Sequence, residues 1–315
     1  MPRDYSEAAH APEPALRTLC ALLTRREASP PPRDQRAALL ERARVHRVDG
    51  LAVRAVVERG EDLRAWFGDA AAGLDDERGA AVADAIRTGE LRRVIDALAA
   101  VDGVAPVVFK GAALAHSHYP APWLRPRLDT DLLISPSHIV PAGAALEALG
   151  YQRAVTTPGA LVLAQASFGR MDRFEIDHAL DVHWKIANWH LIAAALTHEE
   201  IAARAVALPA YGPRARAAAG RDALLLACLH RAAHHRDSGE LLWIYDIHLI
   251  AQQLSPDDWT AAVAAARRAQ VRALCARGLA LAIDWFDTPV PSDVLRALDT
   301  RTEAAAEPSA VYLSS

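Results

Sequence analysis

The sequence contains few cysteines and no long apolar segment. Its three cysteines, Cys20, Cys228 and Cys275, lie far apart, and no CxxC pair is present. Such sparse usage predicts a reducing compartment and argues against a disulfide framework. No run approaches the roughly 18 consecutive apolar residues of a membrane helix, and the opening MPRDYSEAAHAPEP lacks the apolar core of a secretory signal. We therefore expect a cytoplasmic protein without a membrane-spanning segment.

An excess of positive charge is also missing. The 315 residues include 35 lysines and arginines against 39 aspartates and glutamates, which gives a formal net charge of −4. Without a global basic field, strong general binding to nucleic acid is not expected, although a local basic surface is compatible with this composition. The hydrophobic fraction of 52% includes many alanines, which favour helix without filling much volume.

The periodicity of apolar residues divides the chain into a helical, a mixed and a second helical part. From residue 15 to 100, apolar residues recur every three or four positions with charges on the opposite face, which predicts amphipathic helices. Short β-branched or alternating segments then appear in VVF, DTDLLIS and RFEIDHALDVHWKIA, and these predict strands. The last segment is interpreted as two adjacent strands, or one long bent strand, around His178 and Ala179. Helical periodicity returns from residue 191.

These patterns predict an α+β fold, in which a small mixed β-sheet core is flanked by N-terminal and C-terminal helical regions. The expected boundaries are an N-terminal helical region over 1–100, an α/β core over 101–190, a C-terminal helical domain over 191–300 and a tail over 301–315. The length of the chain is ample for a sizeable core and for two or three subdomains.

Two aspartates stand one residue apart in LRPRLDTDLLI, at the start of a predicted strand. Because neighbouring strand residues alternate between faces, Asp129 and Asp131 project side by side while Thr130 turns away. Carboxylates this close repel and raise one another's pKa unless a cation lies between them. Mg²⁺, which prefers one or two carboxylates together with substrate phosphates, is the usual solution. A pair of acids that cap a turn is the alternative, because D-x-D alone is a common pattern.

Two further segments favour the metal interpretation. Upstream, VVFKGAAL places Lys110 and Gly111 where a strand gives way to a helix. A glycine there lets phosphate approach the backbone, and the amides of a helix N-terminus favour anions. Downstream, ALDVHWKI places Asp181 and His183 on one face of a later strand. In this order, the three signals favour a two-metal site for phosphoryl or nucleotidyl transfer.

The same segments resemble a known family. FKGAALAHSHY, RPRLDTDLLI, LEALGY and LDVHWKI follow the order of the landmarks of the uncharacterised nucleotidyltransferase family, within the DNA polymerase β-like superfamily. LLLACLHRAAHHR and LLWIYDIHLI resemble the helical half of that family, so that the likeness spans about residues 95–255. One departure from the wider superfamily is that Lys110-Gly111 replaces its usual Gly-Ser or Gly-Gly pair, with a longer gap to the acids.

The resemblance implies a role for each acid. Asp129 and Asp131 would be metal ligands, and Asp181 would touch the metal beside the attacking hydroxyl and act as its base. The implied cofactor is two Mg²⁺ ions, with Mn²⁺ as an alternative, and the implied reaction transfers an NMP from an NTP such as ATP to an acceptor hydroxyl, releasing pyrophosphate. We expect the three carboxylates to converge within roughly 4–7 Å at one end of the sheet. If Asp181 faced away, Asp177 or Glu175 would replace it.

The resemblance also implies residues that meet the nucleotide. Lys110, Gly111 and Arg125 would contact phosphate oxygens. Arg127 would do the same, or would pair with the acids when no metal is bound. His183 would touch a phosphate or orient the third acid. The acceptor could be a small molecule, a peptide, a protein or RNA.

A group of histidines in the second helical part supports more than one interpretation. His230 and His234 share a helix face, His235 follows them, and Asp246 lies on the next predicted helix. Because zinc sites also use this spacing, one alternative is a metal phosphohydrolase built on these four residues. The preferred interpretation is structural, with His230 or His234 hydrogen-bonded to Asp246, although this face could also line the cleft. A non-catalytic nucleotide-binding module of the same fold is the other alternative.

Overall fold

The computed structural model describes residues 13–154, 164–188, 190–235, 237–300 and 306–314. Within those ranges, no helix combines the length and the apolar character that crossing a membrane requires. A mixed β-sheet lies at the centre, and helices flank it on both sides along the chain, which confirms the predicted α+β class.

The seven strands in the described ranges form one sheet with the order β3-β4-β5-β2-β1-β7-β6. The strands are β1 Val107–Phe109, β2 Asp129–Leu133, β3 Gln152–Arg153, β4 Gln165–Met171, β5 Asp177–His183, β6 Val206–Ala207 and β7 Arg216–Ala217. The pairs β2–β5 and β1–β7 are parallel, and the other neighbours are antiparallel. Strand β2 therefore lies in the middle of the sheet, between β1 and β5.

Helices precede the sheet, connect its strands and follow it. Those before the first strand are α1 Pro14–Leu23, α2 Arg36–Val45, α3 Asp49–Glu58, α4 Leu63–Phe67 and α5 Arg78–Leu98. Those among the strands are α6 Lys110–Ser117, α7 Ile139–Ala148, α8 His190–Ala193 and α9 His198–Arg204. Those after the last strand are α10 Gly220–His235, α11 Leu241–Ala251, α12 Pro256–Arg268, α13 Arg272–Phe286, α14 Ser292–Leu298 and α15 Pro308–Leu313.

The two faces of the sheet contribute to two different apolar clusters. Val108 and Leu132 point to the face on which α5 and α7 pack. Phe109 and Leu133, one position further along each strand, join the larger cluster formed by α1 to α4 and the C-terminal helices. This division follows from strand alternation, because successive side chains leave a strand on opposite faces. Helices therefore cover both faces of the central strands.

The segment after residue 164 differs from the sequence prediction. Strand β5 runs without interruption through His178 and Ala179, so that the alternative of two adjacent strands at this point is wrong. Its antiparallel neighbour is β4, whose sequence QASFGRM was not predicted to be a strand. Polar residues and a glycine occupy the half-buried positions of β4, and such residues give a weak strand signal.

A buried ion pair joins the sheet region to the C-terminal helices. Arg125, in the loop before β2, donates from Nε and Nη2 to the Asp246 carboxylate of α11, over 3.2 and 2.6 Å. The two residues are only 3% and 4% exposed. The Tyr119 hydroxyl also donates to Asp246 over 2.7 Å. Gly111 makes room for this contact, since a Cβ there would lie 2.8 Å from Nη1 of Arg125.

We predict that Asp246→Asn lowers the free energy of unfolding by about 3–5 kcal/mol, because it leaves the buried Arg125 guanidinium without its counter-charge. The measurement is chemical denaturation of the wild type and the variant. The matched control is Glu13→Gln, which neutralises an acid in an exposed pair with Arg42. That control should change stability by no more than about 1 kcal/mol. Equal small losses for both variants would contradict the structural role assigned to Asp246.

Candidate active site

The register between two parallel strands brings the acids together. Asp131 on β2 lies directly opposite Asp181 on β5, and Asp129 lies opposite Ala179. His183 projects from the same face of β5 as Asp181, two residues further along. Asp131, Asp181 and His183 each offer one ligand atom, and these atoms lie within 4.8 Å of one another. This face of the two central strands therefore carries a compact group of oxygen and nitrogen donors.

Asp131 is the buried centre of the group. Its Oδ1 lies 2.6 Å from Nζ of Lys110 and 2.8 Å from Nε2 of His183. Burial alone would raise the pKa of Asp131, but the Lys110 ammonium and the hydrogen bond with His183 outweigh it and hold that pKa well below its usual range. The Asp131 side chain is therefore a carboxylate at neutral pH, and the Nε2–H of His183 donates to it.

Lys110 reaches Asp131 from an unusual backbone conformation. It is the first residue of α6, directly after β1, and its φ of 54° lies in the left-handed region. For a residue other than glycine, that conformation costs roughly 1–2 kcal/mol. The sharp turn directs the side chain to the acids, where Nζ also lies 4.9 Å from the centre of the Phe109 ring. The structure thus places a cation against the buried acid.

Asp181 is held by two neutral donors from β4. The Ser167 hydroxyl donates to Oδ1 over 2.6 Å, and the Gln165 side-chain amide donates to Oδ2 over 2.7 Å. Both carboxylate oxygens are thereby fixed in direction without a second ion pair. Sequence reasoning missed Ser167 and Gln165, because β4 itself was not predicted. The available signal was the alternation of polar and apolar residues in QASF, with the two polar side chains on one strand face.

Asp129 lies at the exposed start of β2, outside the compact group of Asp131, Asp181 and His183. Desolvation of its carboxyl group and repulsion from Asp131 and Asp181 raise the pKa of Asp129 above its ordinary value. Asp129 thus adds negative charge at the solvent side of a group that is already acidic.

His183 is 1% exposed and packs with its ring edge-on to Phe109, with the ring centres 5.1 Å apart. Its Nε2 contacts Asp131, while its Nδ1 has no hydrogen-bond partner among the described residues. The ring is therefore fixed in place, with one nitrogen at the acidic group.

Three residues expected to meet phosphate have other partners in this structure. The Arg125 guanidinium contacts Asp246 and the carbonyl oxygen of Pro126. Arg127 lies 2.5 Å from the buried Asp84 carboxylate of α5, rather than against the acids of the site. Gly111 has no side chain, and the space that a Cβ would occupy is filled by the Arg125 guanidinium. In this structure each arginine therefore forms an ion pair with a buried carboxylate.

The predicted histidine cluster is only partly described. His230 packs edge-on to Trp243, with ring centres 5.4 Å apart. The side chains of His234 and His235 lie outside the described part of the chain. Asp246, expected to accept a hydrogen bond from His230 or His234, accepts from Tyr119 and Arg125. Asp246 thus supports the joint between the sheet region and α11.

Comparison with known protein families gives one extended match. Residues 32–287 match the family model described as uncharacterised nucleotidyltransferase. The match includes the strands that carry the acids and the helices that follow them, and it confirms the resemblance drawn from the sequence motifs. No curated protein matches the chain. The extent of the family match shows that the chain belongs to the uncharacterised nucleotidyltransferase family.

Proposed function

We propose that this protein transfers a nucleoside monophosphate from an NTP to an acceptor hydroxyl and releases pyrophosphate. The observation that carries this proposal is the alignment of Asp131 and Asp181 on adjacent parallel strands, with Asp129 at the solvent side of the same face. In a chain of this family, such an arrangement favours nucleotidyl transfer over the alternative in which the two aspartates only cap a solvated turn.

The acids fit a divalent cation. Asp131 is ionised, Asp181 is oriented by neutral donors, and Asp129 adds a third carboxyl group at the solvent side of the same face. Asp129, Asp131 and Asp181 would hold Mg²⁺ or Mn²⁺. When bound, the metal would neutralise phosphate charge and increase the acidity of the acceptor hydroxyl.

The protein's own side chains account for the remaining parts of the reaction. The acceptor oxygen attacks the α-phosphorus, the bond from that phosphorus to the bridging oxygen breaks, and pyrophosphate leaves. Asp181 accepts the proton of the acceptor hydroxyl, with Ser167 and Gln165 fixing the direction of its carboxylate. Lys110, now against Asp131, lies at the start of α6, where it can neutralise a phosphate oxygen.

The contacts of Asp246 do not favour the phosphohydrolase alternative. That alternative needs Asp246 as a metal ligand beside the histidines of α10. In the described part of the chain, this carboxylate is bound by the Arg125 guanidinium and the Tyr119 hydroxyl. We therefore do not assign metal chemistry to it.

We predict that Asp129→Asn abolishes transfer while leaving the fold intact. Loss of one charged metal ligand should lower the rate by at least about 100-fold, or roughly 3 kcal/mol. Because the folded state raises the pKa of Asp129, ionisation of this group opposes folding at neutral pH. The variant should therefore melt no lower than the wild type at neutral pH, and any gain should vanish as the pH falls below about 4.

The measurement combines thermal melting without metal and pyrophosphate release with each NTP, Mg²⁺ and cell extract as the source of acceptor. The control is Asp172→Asn, in the turn between β4 and β5, where the acid contacts His178 rather than the site. Pyrophosphate release by Asp129→Asn at the wild-type rate would overturn the proposed role of Asp129. A wild type that releases none with any NTP would support the non-catalytic binding module instead.

A second prediction concerns the two donors on β4. Ser167→Ala removes one hydrogen bond to Asp181, so that kcat should fall about 10-fold or more while KM for the NTP changes little. Ser167→Thr keeps the hydroxyl and should restore most of the activity. Steady-state kinetics of both variants provide the measurement. A lower melting temperature with unchanged kcat would show that Ser167 supports only the fold.

A further inference from the structure

We propose that His183 is itself a ligand of the metal ion, through Nε2, and that the site therefore binds a divalent transition-metal ion more tightly than Mg²⁺. This inference rests on the proposed function for the presence of a metal, but it assigns to His183 a role that nucleotidyl transfer by the three acids alone does not require. It also changes the class of ion that the site prefers.

The spacing of the donor atoms supports direct coordination. Nε2 of His183 lies 2.8 Å from Oδ1 of Asp131, and Asp181 completes a group within 4.8 Å. Two ligands at right angles on one ion, each roughly 2.1 Å from it, are about 3 Å apart. The observed contact between Asp131 and His183 therefore suits two ligands of the same ion as well as it suits a hydrogen bond.

The surroundings of the ring favour the same role. The backbone of β5 and the edge-on contact with Phe109 orient the imidazole, and its burial shields it from bulk solvent. Coordination through Nε2 requires the hydrogen of the neutral ring to reside on Nδ1 instead. Nδ1 can carry it, because it is engaged in no hydrogen bond with the described residues.

The donor set decides the class of metal. Mg²⁺ prefers oxygen ligands and retains its waters, so that an imidazole nitrogen adds little to its binding. Imidazole favours first-row transition-metal ions, which also accept carboxylates. Two carboxylates and one imidazole, from Asp131, Asp181 and His183, therefore favour a transition-metal ion. The ammonium of Lys110, which contacts Asp131 from another side, must move away when the ion enters.

The test uses Mn²⁺ alone as a paramagnetic probe of the full-length protein. Electron spin echo envelope modulation detects the ¹⁴N nucleus of a directly coordinated imidazole. We expect this coupling in the wild type and its loss in His183→Gln. The matched control is His178→Gln on the same strand, because His178 is similarly buried but contacts Asp172. That variant should keep the coupling.

A competition experiment tests the preference between ions. Mg²⁺ is added to the Mn²⁺-loaded protein, and the signal of released Mn²⁺ is recorded. The wild type should retain Mn²⁺ against at least about a tenfold excess of Mg²⁺, and His183→Gln should lose most of this preference. Affinity alone would not identify a ligand, since residues that only orient a ligand also change metal affinity by about 10–100-fold. The ¹⁴N coupling distinguishes a histidine that coordinates the ion from one that only orients another ligand.

Several outcomes would overturn the inference. They are a wild type without ¹⁴N coupling to bound Mn²⁺, a wild type that binds no Mn²⁺, equal competition by Mg²⁺, and coupling that survives in His183→Gln. If that variant does not fold, the presence or absence of ¹⁴N coupling in the wild type still tests whether an imidazole coordinates the ion. Failure of the proposed function is separate: transfer without ¹⁴N coupling would sink only the ligand role, whereas coupling without transfer by any NTP would support the ligand and sink the proposed reaction.

Discussion

The register between β2 and β5 is the constraint on which the site depends. It places Asp131 opposite Asp181 on one face of the sheet, so that two carboxylates lie side by side. Like charges at this distance oppose folding unless other groups compensate. Lys110 and His183 stabilise the ionised Asp131, and neutral donors hold Asp181. The positions of the surrounding polar groups follow from this one pairing of strands.

The C-terminal helices are fixed to the sheet region by Arg125 and Asp246. Their buried ion pair connects the loop before β2 with α11, and the absence of a side chain at Gly111 lets the guanidinium lie against α6. Gly111 therefore makes room for the Arg125 guanidinium in this structure. The same short segment, Lys110-Gly111, both directs a cation to the acids and permits the joint to the C-terminal helices.

Local patterns were sufficient for the fold class and the family, but not for contacts between distant segments. The alternation in DTDLLIS and ALDVHWKI correctly predicted the two strands that carry the acids, because that signal lies within a few residues. Strand β4 was missed, and with it Ser167 and Gln165. The contact between Asp246 and Arg125 was not predicted either, since Arg125 is 121 residues away and such pairings leave no local signature.

The central claim is that the α-phosphoryl group of an NTP moves to an acceptor. The most direct measurement compares NTPs labelled at the α- and at the γ-phosphate, incubated with the protein, metal and cell extract. We predict that the α-label becomes covalently attached to an acceptor while the γ-label is recovered as pyrophosphate. Attachment of the γ-label instead, or release of both labels only as free nucleotide and phosphate, would contradict nucleotidyl transfer.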